Sequence, residues 1–268
     1  MQTKTIIITG SSRGLGAYLL SEFEGAGHRV YGLSRRGGDR ERDLAADVTD
    51  AQSVQAAVDT VMKREGRVDV LINNAGSHLL GAVLETSDDE LRAQLELNFH
   101  GAVHMVQAVL PSMLEHGDGR IINMSSVGGR LATPFTSAYS ASKFALEGWM
   151  EALQLELTKT GVFVTNLEPG FLKTGTTDRS VIPTRGEHPR FSTIRRTSHE
   201  RMLQDATKGL PLEAVARQMQ AIIDATAPSF RYSIDGLLPR LRIAQMLMPE
   251  RWFQRFVIRA TAPALAEG

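Results

Sequence analysis

Residues 5–16 read Thr5-Ile6-Ile7-Ile8-Thr9-Gly10-Ser11-Ser12-Arg13-Gly14-Leu15-Gly16. The β-branched run Ile6-Ile7-Ile8 predicts a strand buried on both faces, as in a parallel sheet. Gly10 ends that run, and Leu15, Leu19 and Phe23 then recur every four residues, which predicts a helix. A strand that passes through a glycine-rich turn into a helix suits a diphosphate. Gly10 permits the tight turn. Gly14 and Gly16 keep side chains away, so that phosphate oxygens reach backbone N–H groups at a helix N-terminus. Ser12, Arg13 and Leu15 complete the cradle. Glycines alone would equally suit an ordinary loop; the flanking strand and helix give the turn its meaning.

Outward from this turn, strand and helix patterns alternate. Strands are expected at 28–33, near 44–48, at 68–72, 120–124 and 162–167, and an edge strand at 230–234. Helical stripes run through Val54, Val58, Val61 and Met62, through Leu91 and Leu95, from Val103 to Leu114, through Leu146, Trp149, Leu153 and Leu157, and from Leu212 to Ala225. Such alternation predicts a Rossmann-type α/β fold, a doubly wound parallel sheet with helices on both faces. Residues 171–208 look polar and irregular and read as a substrate loop. Residues 237–259 read as amphipathic helix broken by Pro239 and Pro249, within a C-terminal extension over 235–268. No linker or repeat interrupts the chain, so residues 1–268 read as one domain.

Composition narrows the function classes. The 268 residues are 42% hydrophobic and 22% charged, an ordinary globular balance. The chain has no cysteine, which excludes disulfides, thiolate metal sites and cysteine nucleophiles. With 30 basic and 30 acidic residues the formal net charge is zero, which argues against nucleic acid as a partner. No signal-peptide layout or membrane-spanning run is seen, so a soluble cytoplasmic protein is expected. His100 and His104 are four residues apart, but no third ligand lies nearby and no metal site is expected.

A dinucleotide turn usually has an acid about 20 residues on, at the end of the second strand, for the ribose 2′-hydroxyl. Here that place reads Leu33-Ser34-Arg35-Arg36. Arg35, helped by Arg13, suits a 2′-phosphate, so NADP(H) is expected over NAD(H). Arg36 is read as a solvated surface charge.

Tyr139 and Lys143 share one face of a helix. Bringing a phenol from its usual pKa of about 10 to near neutrality takes roughly 3–4 kcal/mol. An ammonium ~4.5 Å away supplies ~3.7 kcal/mol at an effective dielectric of ~20. A Tyr and a Lys at this spacing are common on surface helices, so the pair gains weight only from its surroundings.

Those surroundings resemble the short-chain dehydrogenase/reductase family over essentially residues 3–235. Thr9-Gly10-Ser11-Ser12-Arg13-Gly14-Leu15-Gly16 is similar to that family's glycine turn, and Tyr139-Ser140-Ala141-Ser142-Lys143 to its Tyr-x-x-x-Lys. Asn73-Asn74-Ala75-Gly76 matches its Asn-Asn-Ala-Gly, with Asn73 read as structural. Ser126, thirteen residues before Tyr139, falls at the family's catalytic serine, and Asn98 at its catalytic asparagine. Ser125 is the competing serine, but strand alternation turns the two to opposite faces. Asp47, followed by Val48, matches the adenine-contacting acid; Pro169-Gly170-Phe171-Leu172-Lys173-Thr174 matches a turn near the nicotinamide.

The resemblance implies a carbonyl/alcohol oxidoreductase. Tyr139 would pass a proton to or from the substrate oxygen, Ser126 would orient that oxygen, and Lys143 would lower the Tyr139 pKa and hold the nicotinamide ribose. Asn98 would support Lys143 through a water. Asn74, Ala75, Gly76, Pro169, Gly170, Leu172 and Thr174 would contact cofactor. A homodimer or homotetramer, paired through helices near 101–116 and 138–159, is expected by the same resemblance.

The long C-terminal layout suggests a lipophilic substrate beside Phe171, Leu172, Phe191 and Ile194, although Arg185, Arg190, Arg195 and Arg196 would also suit an anionic one. Two departures stand out. Only eleven residues separate Arg35 from Asp47, too few for the helix the family usually places there. The arginine-rich apolar stretch over 230–259 reads as a helical cover on the sheet edge or a partner subunit, in preference to a substrate lid or membrane-surface anchor. Other classes are a non-catalytic NADPH-sensing module and an epimerase or dehydratase on nucleotide sugars. The first would lack Tyr139 or Lys143; the second needs a different glycine spacing.

Overall fold

Ile6, Ile7 and Ile8 are fully buried in β1 (Thr5–Thr9), and they serve two different cores. Ile7 packs with Val58 and Val61 of α2 (Ala51–Glu65), Val109 of α4 (Gly101–His116) and Leu146 and Met150 of α5 (Ser137–Glu156). Ile6 and Ile8 face Leu19 and Phe23 of α1 (Gly14–Gly25) and Met219 and Ile222 of α7 (Leu212–Asp224). Because both faces are covered, the strand needs no polar alternation.

The computed structural model describes residues 2–173 and 186–266. The remaining strands are β2 (Arg29–Ser34), β3 (Asp43–Ala45), β4 (Val70–Asn73), β5 (Gly119–Met124), β6 (Val162–Leu167) and β7 (Arg231–Tyr232). With β1 they form a seven-stranded parallel sheet in the order β3-β2-β1-β4-β5-β6-β7. The direction of winding reverses between β1 and β4, and the crevice beyond the strand ends there is the usual ligand site of such sheets. As the short spacing implied, no helix lies between β2 and β3.

Three expectations are corrected. First, α3 (Asp88–Leu95) does not stop before α4. A π-helical turn over Glu96–His100 joins them, so the backbone stays helical while the stripe shifts register. Second, part of the stretch 171–208 is α6 (Ser192–Thr207). It lacks an apolar stripe, and its buried residues are Arg195 and Ala206, so hydrophobic periodicity does not reveal it. Third, Pro239 does not break a helix. It lies in the first turn of α8 (Leu237–Leu247), where its missing N–H has no intrahelical acceptor to serve. Pro249 does separate α8 from α9 (Glu250–Thr261).

The C-terminal cover does not sit on the sheet edge. Ala262 and Leu265, just past α9, join a small core with Leu80, Ala82, Phe135, Phe191, Ile194 and Met202. The extension therefore packs on α6 and on the loop after β4. Arg195 fixes the same contact: its Nε lies 2.8 Å from Glu85 Oε2 and its Nη2 3.0 Å from Glu187 Oε1, with Arg195 and Glu85 both buried. Glu85 also accepts from the backbone N–H groups of His188 and Ala82.

Candidate active site

Four loops meet at the carboxyl ends of β1, β4, β5 and β6. In the first, Gly10 N–H donates to the Leu33 carbonyl and Gly10 has φ +69°, which favours glycine. Gly16 has a different task from the one its spacing suggests. A Cβ there would overlap the Gly10 carbonyl oxygen and press on Asn74 Nδ2, so its missing side chain lets α1 close against the turn. Ser12 and Arg13 are exposed at the head of α1. Arg13 makes no side-chain cap and the first turn holds no acid, whereas Asp50 caps α2 and a Ser87–Glu90 capping box closes α3. The α1 N-terminus thus keeps its uncapped N–H groups and positive dipole end, as a diphosphate requires.

Thr9 links this turn to the second loop through its side chain and its carbonyl. Its Oγ1 accepts from the N–H groups of Asn74 and Ala75, both at 3.0 Å. Asn74 Nδ2 returns a bond to the Thr9 carbonyl at 2.9 Å, so the Asn74 amide braces the turn. Asn73 is structural as expected: it donates to Asn123, and Asn123 donates to Asn166, a buried amide ladder across β4, β5 and β6.

Asn98 sits in the π-helical turn with its side chain already engaged. Its Oδ1 accepts from Ser77 N–H at 2.9 Å, and its Nδ2 donates to the Ser77 carbonyl at 2.9 Å and to Ser142 Oγ at 3.0 Å. The amide therefore clamps the loop carrying Gly76 and Ser77 onto α5. Gln94, one turn earlier, adds bonds to Ser77 and Leu79. A small cavity of about 10 Å³ lies between Asn73, Asn98, Met124 and Lys143. That is about the space of one water.

Ser126 and Tyr139 come together. Ser126 Oγ accepts from Gly128 N–H at 3.0 Å, and the Ser126 hydroxyl lies beside the Tyr139 phenol. Ser125 is buried, and both serines lie just past the end of β5. Lys143 is held by backbone in the structure. Its Nζ donates to the Met124 carbonyl at 2.6 Å and lies 6.0 Å from the Tyr139 ring centre. Burial pushes the Tyr139 pKa up, and Ser126 opposes it. Burial also lowers the Lys143 pKa to about 8, against the pull of Glu147.

The His78 ring stands edge-on to that of Tyr139, with centres 4.3 Å apart. Burial first, then His199 of α6 and Lys143, lower the His78 pKa to about 4, so the imidazole is neutral at ordinary pH. His78 had no signal in the sequence beyond its place two residues after Gly76.

The other expected residues are scattered by role. Arg35 is exposed just past β2, and neither it nor Arg13 forms an ion pair among the described residues. Asp47 Oδ1 accepts from Thr49 N–H and Oγ1, which, with Arg35 nearby, holds its carboxyl below the usual range. Val48 is buried beside the small cavity. Pro169 accepts from Val127 N–H, and Gly170 lies so close to Asp235 that a Cβ would meet its carboxylate. Thr174 and Arg185 lie outside the described residues. Leu172 packs in the α1–α7 core, whereas Phe191 and Ile194 belong to the α6 cluster, so they do not form one wall. Arg195, neutralised by Glu85 and Glu187, is not available to an anionic substrate. His104 Nδ1 lies 2.9 Å from the Val48 carbonyl, and His100 pairs loosely with Glu96.

Comparison with known proteins gives the family and the fold. Residues 4–182 match the family described as short chain dehydrogenase. The chain is 36% identical over 242 residues to a 3-ketodihydrosphingosine reductase of Bacteroides thetaiotaomicron, covering 89% of this chain and 90% of that one. The uncharacterized oxidoreductase YbbO of Escherichia coli is 32% identical, with 92% and 91% covered. A short-chain dehydrogenase from Streptomyces avermitilis superposes with TM-score 0.80 at 30% identity, covering 91% of this chain and 95% of that one. Two Burkholderia short-chain dehydrogenases, each 25% identical, were solved with different cofactors. That from B. cenocepacia holds NADP (TM-score 0.72, 94% and 95% covered) and that from B. phymatum holds NAD (TM-score 0.74, 91% and 94% covered).

Proposed function

This chain belongs to the short-chain dehydrogenase family, and we propose that it is an NADP(H)-dependent oxidoreductase that interconverts a ketone or aldehyde with its alcohol. The observation that carries the reading is the Tyr139 phenol beside Ser126, with Lys143 one helical turn away and the uncapped α1 N-terminus at the same sheet end.

When bound, the nicotinamide supplies or accepts the hydride. The chain's residues do the rest. Backbone from Gly10 to Gly16 holds the diphosphate, and Arg13 with Arg35 holds the 2′-phosphate. Asp47 and Val48 border the adenine; Asn74, Ala75, Gly76, Pro169, Gly170 and Leu172 border the nicotinamide half; Lys143 holds the ribose. Ser126 orients the substrate oxygen, and Tyr139 donates the proton to it. The raised phenol pKa keeps that proton in place at neutral pH, which is the form reduction needs. Asn98 acts as a positioning residue, with a water in the small cavity as its link to Lys143.

A lipophilic ketone is the substrate class this reading favours. The name of the Bacteroides relative supports it, and so does the neutral His78 beside Tyr139. Pairing through α4 and α5 belongs to the same reading, since Phe144 and Leu155 leave apolar surface on α5. NADPH consumption with a panel of ketones, 3-ketodihydrosphingosine among them, tests the function. Turnover with a lipophilic ketone is expected. Tight NADPH binding with no turnover across the panel would favour a non-catalytic NADPH-binding role.

A further inference from the structure

The hairpin of α8 and α9 has a fixed inner face and an uncovered outer one. Leu238, Phe253 and Val257 are buried, and the chain after α9 is tied into the α6 cluster. Sequence reading gave the remaining apolar residues a packing role as well. The structure does not. Ile243, Met246 and Leu247 share one face of α8 and are 58%, 81% and 79% exposed; Trp252 and Phe256, one turn apart on α9, are 66% and 45% exposed. Among the described residues, five of the twelve exposed large hydrophobics fall within 243–256. Singly scattered apolar residues are ordinary on a surface, but a cluster of this kind marks an interaction site.

Charge identifies the partner. Residues 237–261 carry Arg240, Arg242, Arg251, Arg255 and Arg259 against Glu250 alone, a net charge of +4 in a chain whose total is zero. Arg251, Arg255 and Arg259 run one turn apart beside the Trp252–Phe256 stripe. Arg255 and Arg259, with Ile258, Leu265 and Ala266, line an open cleft of about 300 Å³. Two guanidinium groups beside an apolar floor suit a phosphate that carries an apolar tail. A second copy of the chain fits less well, because a two-fold contact would set these arginines against themselves.

We propose that the α8–α9 hairpin seats the protein on an anionic lipid bilayer. Met246, Leu247 and Trp252 enter the headgroup region at the Met248–Pro249 corner, and the arginines pair with lipid phosphates. Aromatic and basic residues on an amphipathic helix behave this way at interfaces. No helix among the described residues is long and apolar enough to cross a membrane, so the contact is peripheral. The inference does not depend on the redox reading.

Sedimentation of the full chain with vesicles tests it. Pelleting is expected with phosphatidylcholine–phosphatidylglycerol vesicles and recovery in the supernatant with phosphatidylcholine alone. Binding should fall roughly 5-fold for each arginine removed in Arg251→Ala and Arg255→Ala. A fluorescence measurement keeps the hairpin sequence native: in a Trp149→Phe background, the Trp252 emission should shift to the blue and be quenched by brominated lipid. Full recovery from anionic vesicles, equal pelleting with neutral ones, or an unmoved Trp252 emission would each overturn the proposal. So would lipid-free self-association that Trp252→Glu abolishes, which would assign the face to a second copy.

Discussion

Lys143 donates to the Met124 carbonyl at 2.6 Å, and Tyr139 answers instead to Ser126. The two residues share a helix face, yet the ammonium is held by backbone and burial lowers its pKa to about 8. The phenol in the protein without cofactor is therefore expected to stay protonated past its ordinary value of 10.0. Tyrosinate difference absorption, native chain against Tyr139→Phe, measures this directly. Ionisation of residue 139 near neutrality would show that Lys143 acts on it after all.

Arg35 and Arg13 should set cofactor choice. A charge-assisted hydrogen bond contributes about 1.5–3 kcal/mol, so Arg35→Ser should weaken NADPH binding roughly 10- to 150-fold. NADH binding should barely change. Titration of both cofactors by nicotinamide fluorescence checks it, and equal loss for both would remove Arg35 from the 2′-phosphate.

Glu85 and Arg195 hold α6 down. Arg195→Met leaves a buried carboxylate without its cation, a change that typically costs about 3–5 kcal/mol. Hydrogen exchange should accelerate over 187–207 before the sheet is affected. Burial raises the Glu85 pKa, but the His188 and Ala82 N–H groups and Arg195 outweigh it, so the folded value is lowered from 4.5. The stabilisation is accordingly present above pH 4.5 and lost as pH falls through the folded value.

Glu168 should behave in the opposite sense. Burial, reinforced by Glu147 and opposed by Arg231, raises its pKa from 4.5 to about 7. The folded state then holds a proton that the unfolded state releases, so stability is lost as pH rises from 4.5 through about 7. Thermal unfolding at about pH 5 and about pH 8 should show a smaller difference for Glu168→Gln than for the native chain. An unchanged difference would place the titration elsewhere.

The sheet was legible because its strands are short β-branched runs flanked by glycine, as in Ile6-Ile7-Ile8 and Val162-Phe163-Val164. Tyr139, Lys143 and Ser126 were singled out by the family resemblance of several motifs taken together, since the spacing of Tyr139 and Lys143 alone is common on surface helices. What escaped was carried by groups without a sequence pattern. The acceptor for Lys143 is a backbone carbonyl, which any residue could offer. Helix α6 docks through one buried arginine, so it lacks the apolar stripe that reveals α1 and α7. Gly16 looked like room for phosphate, but its space closes on Gly10 and Asn74. The outer face of α8 and α9 has the same residue types as a packed one, and only the fold shows that nothing among the described residues covers it.

The proton-transfer role of Tyr139 is tested most directly by kcat/KM for NADPH-dependent ketone reduction in Tyr139→Phe, with NADPH affinity measured alongside. A loss of at least ~100-fold in turnover is expected, the usual scale for a missing general acid, with NADPH binding nearly intact. Near-native turnover in that variant would contradict the mechanism.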